Sequence, residues 1–304
     1  MRAIPAKRLS RGLLCILLLC APLLTWGQSS NPRAQSLLAN YQQQQQALAQ
    51  NAFGAPIVLT ADVSKQQAQG EVYALLNTPF AQLGKILKQS SDWCELAILH
   101  VNIKACTYDA EHVRLYVGRK HYQAPAEAFP VQYRFQQLAD DADFLSLQLD
   151  APNGPFGTSD YLISLEAIPL DAQHSFIRFD YRYRFGLMAR MALNTYLATL
   201  GSDKVGFTVT DTDAQGGPVY VKGLQGVVER NVMRYLMAIQ SVLETSELPV
   251  ERRTQAQFTS WYDSTRKYPR QLLELERSEY LSNKQRELTN QQALQLPVRV
   301  TALN

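Results

Sequence analysis

Apolar and polar positions alternate with period two in FIRFDYRYRFG, residues 176–186. Ile177, Phe179, Tyr181, Tyr183 and Phe185 fall on one side, and Arg178, Asp180, Arg182 and Arg184 on the other. The pattern predicts an antiparallel strand with a buried face and a solvated one, the charges pairing weakly on the wet side. Two tyrosines on the buried face raise a question of partners, because a phenol taken out of water needs a hydrogen bond. Four further runs share the strand pattern: HVRLYVG (112–118), PVQYRFQQL (130–138), DFLSLQL (143–149) and YLISLEAI (161–168). Pro, Gly, Asp or Asn separates them, as in an antiparallel meander. Asp140 and Asp141 are turn residues in this scheme. Tyr133 and Phe135 share one apolar face, and Tyr161 lies on another, so inward tyrosines recur.

Upstream, PIVLTADV (56–63) and GEVYALL (70–76) read as two short strands. Thr78–Pro79 then starts a helix with Phe80, Leu83 and Leu87 on one stripe, ended at Asp92–Trp93–Cys94, and LAILHVNIKAC (96–106) follows as a strand. After the meander, LMARMALNTYLATLG (187–201) is a helix that Gly201 terminates, and TDAQGG (212–217) turns between two short strands. Residues 224–245 form a long amphipathic helix with Leu224, Val228, Val232, Tyr235, Ile239 and Val242 on one face, which the sheet is expected to cover.

The two ends differ from this middle. Residues 28–56 contain a glutamine run with sparse apolar positions and read as a helix or tether. Residues 247–304 are charged and helical in propensity, broken at Pro269. Within them Phe258, Trp261 and Tyr262 stand at i, i+3 and i+4, so one helix face carries three aromatic rings in need of cover. The outer surface of the domain is the expected cover; an envelope protein partner and a lid over a cavity are the alternatives.

Composition adds a compartment. Residues 1–27 place four basic residues ahead of an apolar run, Leu13–Leu24, too short to span a bilayer, and read as a secretory signal peptide. Its removal takes the net charge from +3 to −1, leaving no clustered basic face for nucleic acid. A periplasmic or secreted protein is expected. The remaining cysteines, Cys94 and Cys106, are then expected to form a disulfide closing a loop of about 13 residues, a stabilisation of roughly 3 kcal/mol. A metal site from Cys94, His100 and Cys106 is the weaker alternative, since a fourth ligand is missing.

The order of a β-run, short helices, a curved antiparallel meander and a closing helix resembles the START/Bet v 1-like (SRPBCC) helix-grip superfamily. The resemblance is carried by GEVYALLNTPFAQLGKILKQSSDW (70–93), LGSDKVGFTV (200–209) and VVERNVMRYLMAIQSVL (227–243), and covers residues 57–246. It implies an α+β fold, the sheet wrapped on the long helix with helical extensions at both ends. It also implies an apolar cavity between sheet and helix for a lipid or other hydrophobic small molecule. The expected lining is Tyr133, Phe135, Tyr161, Phe179, Tyr181, Tyr183, Tyr235 and Met233, with Met188, Met191 and Met237 as adaptable neighbours. The helix at 187–200 is an insertion relative to the plainest members.

No nucleophile elbow, zinc-binding His-Glu-x-x-His or phosphate-cradling glycine loop occurs in the sequence. The four histidines, His100, His112, His121 and His174, lie at strand ends and read as surface or satisfied residues. No cofactor is expected. A non-enzymatic carrier or sensor of a hydrophobic molecule is the first expectation, a cyclase- or hydrolase-like enzyme on the same cavity the second, and an envelope interaction module the third.

Overall fold

The structure, a computed structural model, describes residues 31–198 and 203–302. The leader and Gly201 lie outside the described residues. Strands β1 (Ile57–Val63) and β2 (Gln67–Leu76) form a hairpin. Two short helices, α2 (Phe80–Leu87) and α3 (Ser90–Ala97), then lead to β3 (Ile103–Tyr108), β4 (His112–Val117), β5 (Phe129–Asp140), β6 (Leu145–Asn153), β7 (Thr158–Pro169) and β8 (Ser175–Phe185). Helix α1 (Pro32–Ala49) precedes the hairpin. After β8 come α4 (Leu187–Ala198), the short pair β9 (Val209–Thr212) and β10 (Pro218–Tyr220), and helices α5 (Gly223–Thr245), α6 (Val250–Thr265) and α7 (Arg277–Ala302).

Eight strands make one antiparallel sheet in the order β1-β2-β8-β7-β6-β5-β4-β3. The chain leaves β2, crosses through α2 and α3 to the far edge, and returns strand by strand until β8 pairs with β2, Val72 opposite Phe179 and Ala74 opposite Ile177. Helix α5 packs on one face of this sheet. Its approach is close: a Cβ added at Gly70 on β2 would lie 2.5 Å from Val228 Cγ1 and 2.6 Å from Val232 Cγ2. Only glycine leaves room there. The fold is a helix-grip.

The run 96–106 is not one strand. Helix α3 holds Trp93 within it, reaches Ala97, and is followed by turns, with strand pairing beginning at Ile103. A capping box explains the second helix: Asp92 Oδ2 accepts from Gln89 N at 2.9 Å, satisfying an end donor that the sequence pattern had read as a stop. Trp93 Nε1 donates to Leu87 O at 3.1 Å, and the Cys94–Cys106 disulfide, with Cα atoms 5.2 Å apart, ties α3 to β3. The thiols are therefore spent as a crosslink and cannot ligate metal.

Residues Ala34, Leu37 and Leu48 of α1 are buried against Tyr73, Phe144, Ile168, Leu170 and Phe176, which point to the face opposite α5. Tyr41 meets the Phe176 ring at 5.1 Å. The glutamine-rich segment is a docked helix rather than a tether. Its docking also corrects the expectation of a wet arginine face on β8. Arg33 and Arg178 share Glu166, Arg178 also pairs with Glu71, and Asp180 is buried with Gln69 Nε2 donating to it at 2.6 Å. Arg182 and Arg184 remain exposed.

The C-terminal helices belong to the same body. Phe258, Trp261, Tyr262, Leu272 and Tyr280 are buried in the main core. Trp261 stacks on Tyr280 at 5.0 Å and donates from Nε1 to Arg234 O on α5 at 3.1 Å. Tyr280 Oη donates to Leu99 O at 2.8 Å. The aromatic face is thus covered within the chain and offers no contact surface to a partner. Further along, α7 lies beside β3, the last strand of the sheet. Lys104 Nζ donates to Glu287 Oε1 at 2.8 Å, Cys106 N to Gln291 Oε1 at 2.8 Å, and Tyr108 N to Gln295 Oε1 at 2.8 Å, while Gln295 Nε2 returns a bond to Tyr108 O. Gln291 and Gln295 thereby satisfy backbone groups of β3 that would otherwise invite another strand.

A cluster of buried phenols between sheet and helix

The inward face of β5, β7 and β8 brings Tyr133, Tyr161, Tyr181 and Tyr183 together, and α5 adds Tyr235 from the opposite side. Period two on β8 places Phe179, Tyr181 and Tyr183 on one face. Tyr161 reaches that face through a bulge: β7 runs three residues from Ser159 to Leu162 while β8 runs two, and Asp160 takes a φ of 50°. Its ring lies on Gly154, where a Cβ would come within 2.2 Å of Cε2.

The rings form a connected set. Tyr161 stacks on Tyr183 at 5.2 Å and meets Tyr133 edge-on at 6.4 Å and Tyr181 at 6.2 Å; Tyr235 lies 6.2 Å from Tyr181 and 5.5 Å from Phe179. Burial pushes every one of these phenols up, Tyr161 to about 12 and Tyr133, Tyr181, Tyr183 and Tyr235 further still. All are neutral hydrogen-bond donors at ordinary pH. Tyr161 Oη is satisfied by Thr158 Oγ1 at 2.7 Å. The hydroxyls of Tyr133, Tyr181, Tyr183 and Tyr235 make no hydrogen bond among the described residues.

The structure therefore assembles Tyr133, Tyr161, Phe179, Tyr181, Tyr183 and Tyr235, while Phe135 is only partly buried at the margin of the core. Met233 is fully buried in the same core, about 200° round α5 from Tyr235. Met237 shares that side of the helix. Met188 and Met191 are exposed on the outer side of α4, because Ala189 and Leu193 take the inward positions. Met188 and Met191 therefore do not line the phenol cluster.

The histidines separate into two kinds. His112, His121 and His174 are surface residues paired with Asp109, Glu279 and Asp171. His100 is buried, its ring 5.3 Å from that of Tyr235; Nδ1 accepts from Asn102 N at 3.1 Å, and the Asn231 side chain of α5 lies beside the ring. Burial, with Arg234 and Lys284 nearby, holds its pKa well below the usual value, so the ring is neutral. Nothing local to residue 100 signals this placement, since the neighbours of His100 come from α5 and α7.

Behind His100 lies a buried ionic layer. Glu287 bridges Lys104 and Lys284, the second at 2.7 Å, with all three side chains at most 1% exposed. Glu274 joins Arg234 and Lys204. Burial opposes its ionisation, but the two cations outweigh that and hold its carboxyl far below the usual range.

Two grooves lie away from the phenols. One, of about 580 Å³, runs between α1 and the sheet at Tyr41, Leu75 and Leu170. The other, of about 470 Å³, is lined by Cys94, Cys106, Gln257, Leu288 and Gln291. In the cluster itself the rings lie with centroids 5.2–6.4 Å apart.

No known family model matches the sequence, and no curated protein does. Among solved structures the chain is similar to a START superfamily protein from Mycobacterium smegmatis, at 12% identity over 45% of this chain and 92% of that one, with a TM-score of 0.30. It is also similar to truncated norcoclaurine synthase from Thalictrum flavum (8% identity, 46% and 91% covered, TM-score 0.32). A conserved protein from Geobacillus kaustophilus gives 11% identity, 59% and 96% coverage, and a TM-score of 0.35. Such loose likenesses transfer no residue roles, and the helix-grip description rests on strand order and register.

Proposed function

We propose that this protein binds a largely apolar small molecule, a lipid being the leading class, between the sheet and α5, and acts as its carrier or sensor. The observation that carries this reading is the cluster of neutral phenols between sheet and helix, four of whose hydroxyls make no hydrogen bond among the described residues and so remain available as donors. Phenol tips gathered on an otherwise apolar inner face can fix the orientation of a ligand by hydrogen bonding. An apolar ligand with ester, carbonyl or ether oxygens would satisfy them while its hydrocarbon replaces ring-to-ring contact. Export belongs to the same proposal, supported by the leader pattern and by a disulfide suited to an oxidising compartment.

Native mass spectrometry of the protein from its own host tests the reading. A bound species of apolar character is expected, and Tyr181→Phe with Tyr183→Phe, which keep the rings, should weaken it roughly 5-fold per hydroxyl. Ligand-free protein that also fails to bind fluorescent fatty-acyl probes would sink the proposal. A second reading, a cyclase- or hydrolase-like enzyme, is favoured by a buried, neutral His100 whose ring lies 5.3 Å from that of Tyr235, a pairing suited to proton transfer. Turnover of the co-purified species, lost in His100→Gln, would move the assignment there.

A further inference from the structure

One end of the grip carries a bare apolar surface. Phe156, in the turn between β6 and β7, is 73% exposed, and Leu187, Met188 and Met191 on α4 are 74%, 78% and 57% exposed. They are contiguous. Gly157 faces Ala189 of α4, where an added Cβ would lie 3.9 Å from the alanine's own. Helix α4 is apolar on both sides: Ala189 and Leu193 pack inward while the three large residues point out. An amphipathic surface helix normally places charge on its outer side, so this arrangement suits a second apolar environment. Phe156 also holds a φ of 58°, a backbone region that bulky side chains rarely occupy and that marks functional turns more often than inert ones.

The charges beside the patch are mostly basic, with exposed Asp62 of the β1–β2 hairpin and Asp160 as acidic neighbours. Arg190 is on α4 itself and donates from Nη1 to Lys65 O in the β1–β2 turn, which places exposed Lys65 beside it. Exposed Arg184 ends β8 next to the same turn, with Phe185 N bonded to Gln66 O. Asp160, on the bulge of β7, is the acidic residue closest in sequence to the turn. The geometry points to docking of this end onto an anionic lipid bilayer, with the four apolar side chains entering the headgroup boundary and the basic rim meeting the lipid phosphates. The long aliphatic stems of arginine and lysine suit that position, since they lie along the apolar boundary while the charge stays at the interface. The surface adjoins the phenol cluster, since Tyr161 lies on Gly154 of the same turn, but docking is measured without any cargo and does not depend on the ligand proposal.

The test is co-sedimentation of the mature chain, beginning at Gln28 so that the apolar leader does not contribute, with two vesicle types. One is phosphatidylcholine alone; the other contains about one third phosphatidylglycerol. Binding to the anionic vesicles is expected, falling with salt. Each basic residue is worth roughly 5-fold in such partitioning, so Lys65→Gln, Arg184→Gln and Arg190→Gln together should reduce it on the order of 100-fold. Leu187→Ser, Met188→Ser and Met191→Ser together should abolish it with the melting temperature unchanged, the residues being exposed. Absence of binding to anionic vesicles overturns the inference, as does binding that survives the serine variant. Light scattering that finds a dimer dissolved by the serine variant also overturns it, assigning the face to a second copy of the chain.

Discussion

Replacing Glu287 by glutamine isolates the energetics of the buried ionic layer. Glu287 serves Lys104 at 2.8 Å and Lys284 at 2.7 Å, and no member of the trio has meaningful contact with solvent. In Glu287→Gln the ammonium groups keep their carbonyl acceptors, Val101 O and His121 O for Lys104, His100 O and Ile103 O for Lys284, but lose the compensating charge. Breaking a buried pair in this way costs about 3–5 kcal/mol. The layer already holds two cations for one anion, and burial brings Lys284 down to about 8. A lysine titrates near 10.4 when unfolded, so the unfolded state binds more protons than the folded one between those values. Stability from this group therefore rises with pH across that window, by about 3 kcal/mol in total at 1.36 kcal/mol per unit, and its charging penalty is fully present below pH 8. Urea denaturation at pH 7, 8, 9 and 9.5 should show the wild type gaining stability. Glu287→Gln should start several kcal/mol lower and climb more steeply, because proton loss relieves it. Lys284→Met, which leaves the one-to-one Lys104–Glu287 pair, should cost less than Glu287→Gln at pH 7. A glutamine variant as stable as the wild type at pH 7, or one that loses stability toward pH 9, would refute the reasoning.

Three other outcomes follow from single contacts. Gly70→Ala puts a methyl within 2.6 Å of both Val228 and Val232 and should lower stability by about 1–3 kcal/mol through overpacking at the sheet–helix contact, read as a lower denaturation midpoint. Cys94→Ser with Cys106→Ser opens a loop of 12 residues' separation and should cost roughly 3 kcal/mol, and non-reducing peptide mapping of the wild type should show the two cysteines linked. His100 is neutral when folded, so its unfolded form takes a proton first as pH falls below 6.5; stability from this residue is lost there, and His100→Gln should flatten the acid limb of a stability-versus-pH curve between pH 6.5 and 5.

Much of the sheet was legible because its strands are half-buried and period two is unambiguous over the 11 residues of β8. The tyrosines of β5, β7 and β8 were legible for the same reason, and Tyr235 from the stripe on α5. The run 96–106 misled because a continuous apolar stretch has no period to distinguish a buried helix end from a strand. Helix α1 was weakly marked, yet Ala34, Leu37, Tyr41 and Leu48 stand at spacings of three, four and seven, which is a helix face. Met188 and Met191 were misplaced because α4 is apolar on two sides, and sequence alone does not say which side meets the core. Lys104 could not be read at all: its counter-charge lies 183 residues away, on a helix whose position only the folded chain defines.

Helix α7 and strand β3 are two rulers with different graduations laid side by side. Four helical residues advance about 6.0 Å and two strand residues about 6.6 Å. Residues 287, 291 and 295 can therefore face 104, 106 and 108 with a drift of only about 1.2 Å across the whole match, which flexible side chains absorb. The same four-residue step also rotates the contact by about 40°, so by the third rung the helix has turned some 80° off the edge. At a fourth rung the rotation, about 120°, takes the side chain off the edge. The short β3, six residues ending at Tyr108, thus has the length a straight helix can seal, and a longer strand would leave bare backbone beyond the seal. A single residue inserted between Glu287 and Gln295 would swing every later glutamine by about 100° and unseal the edge without altering one residue of the sheet.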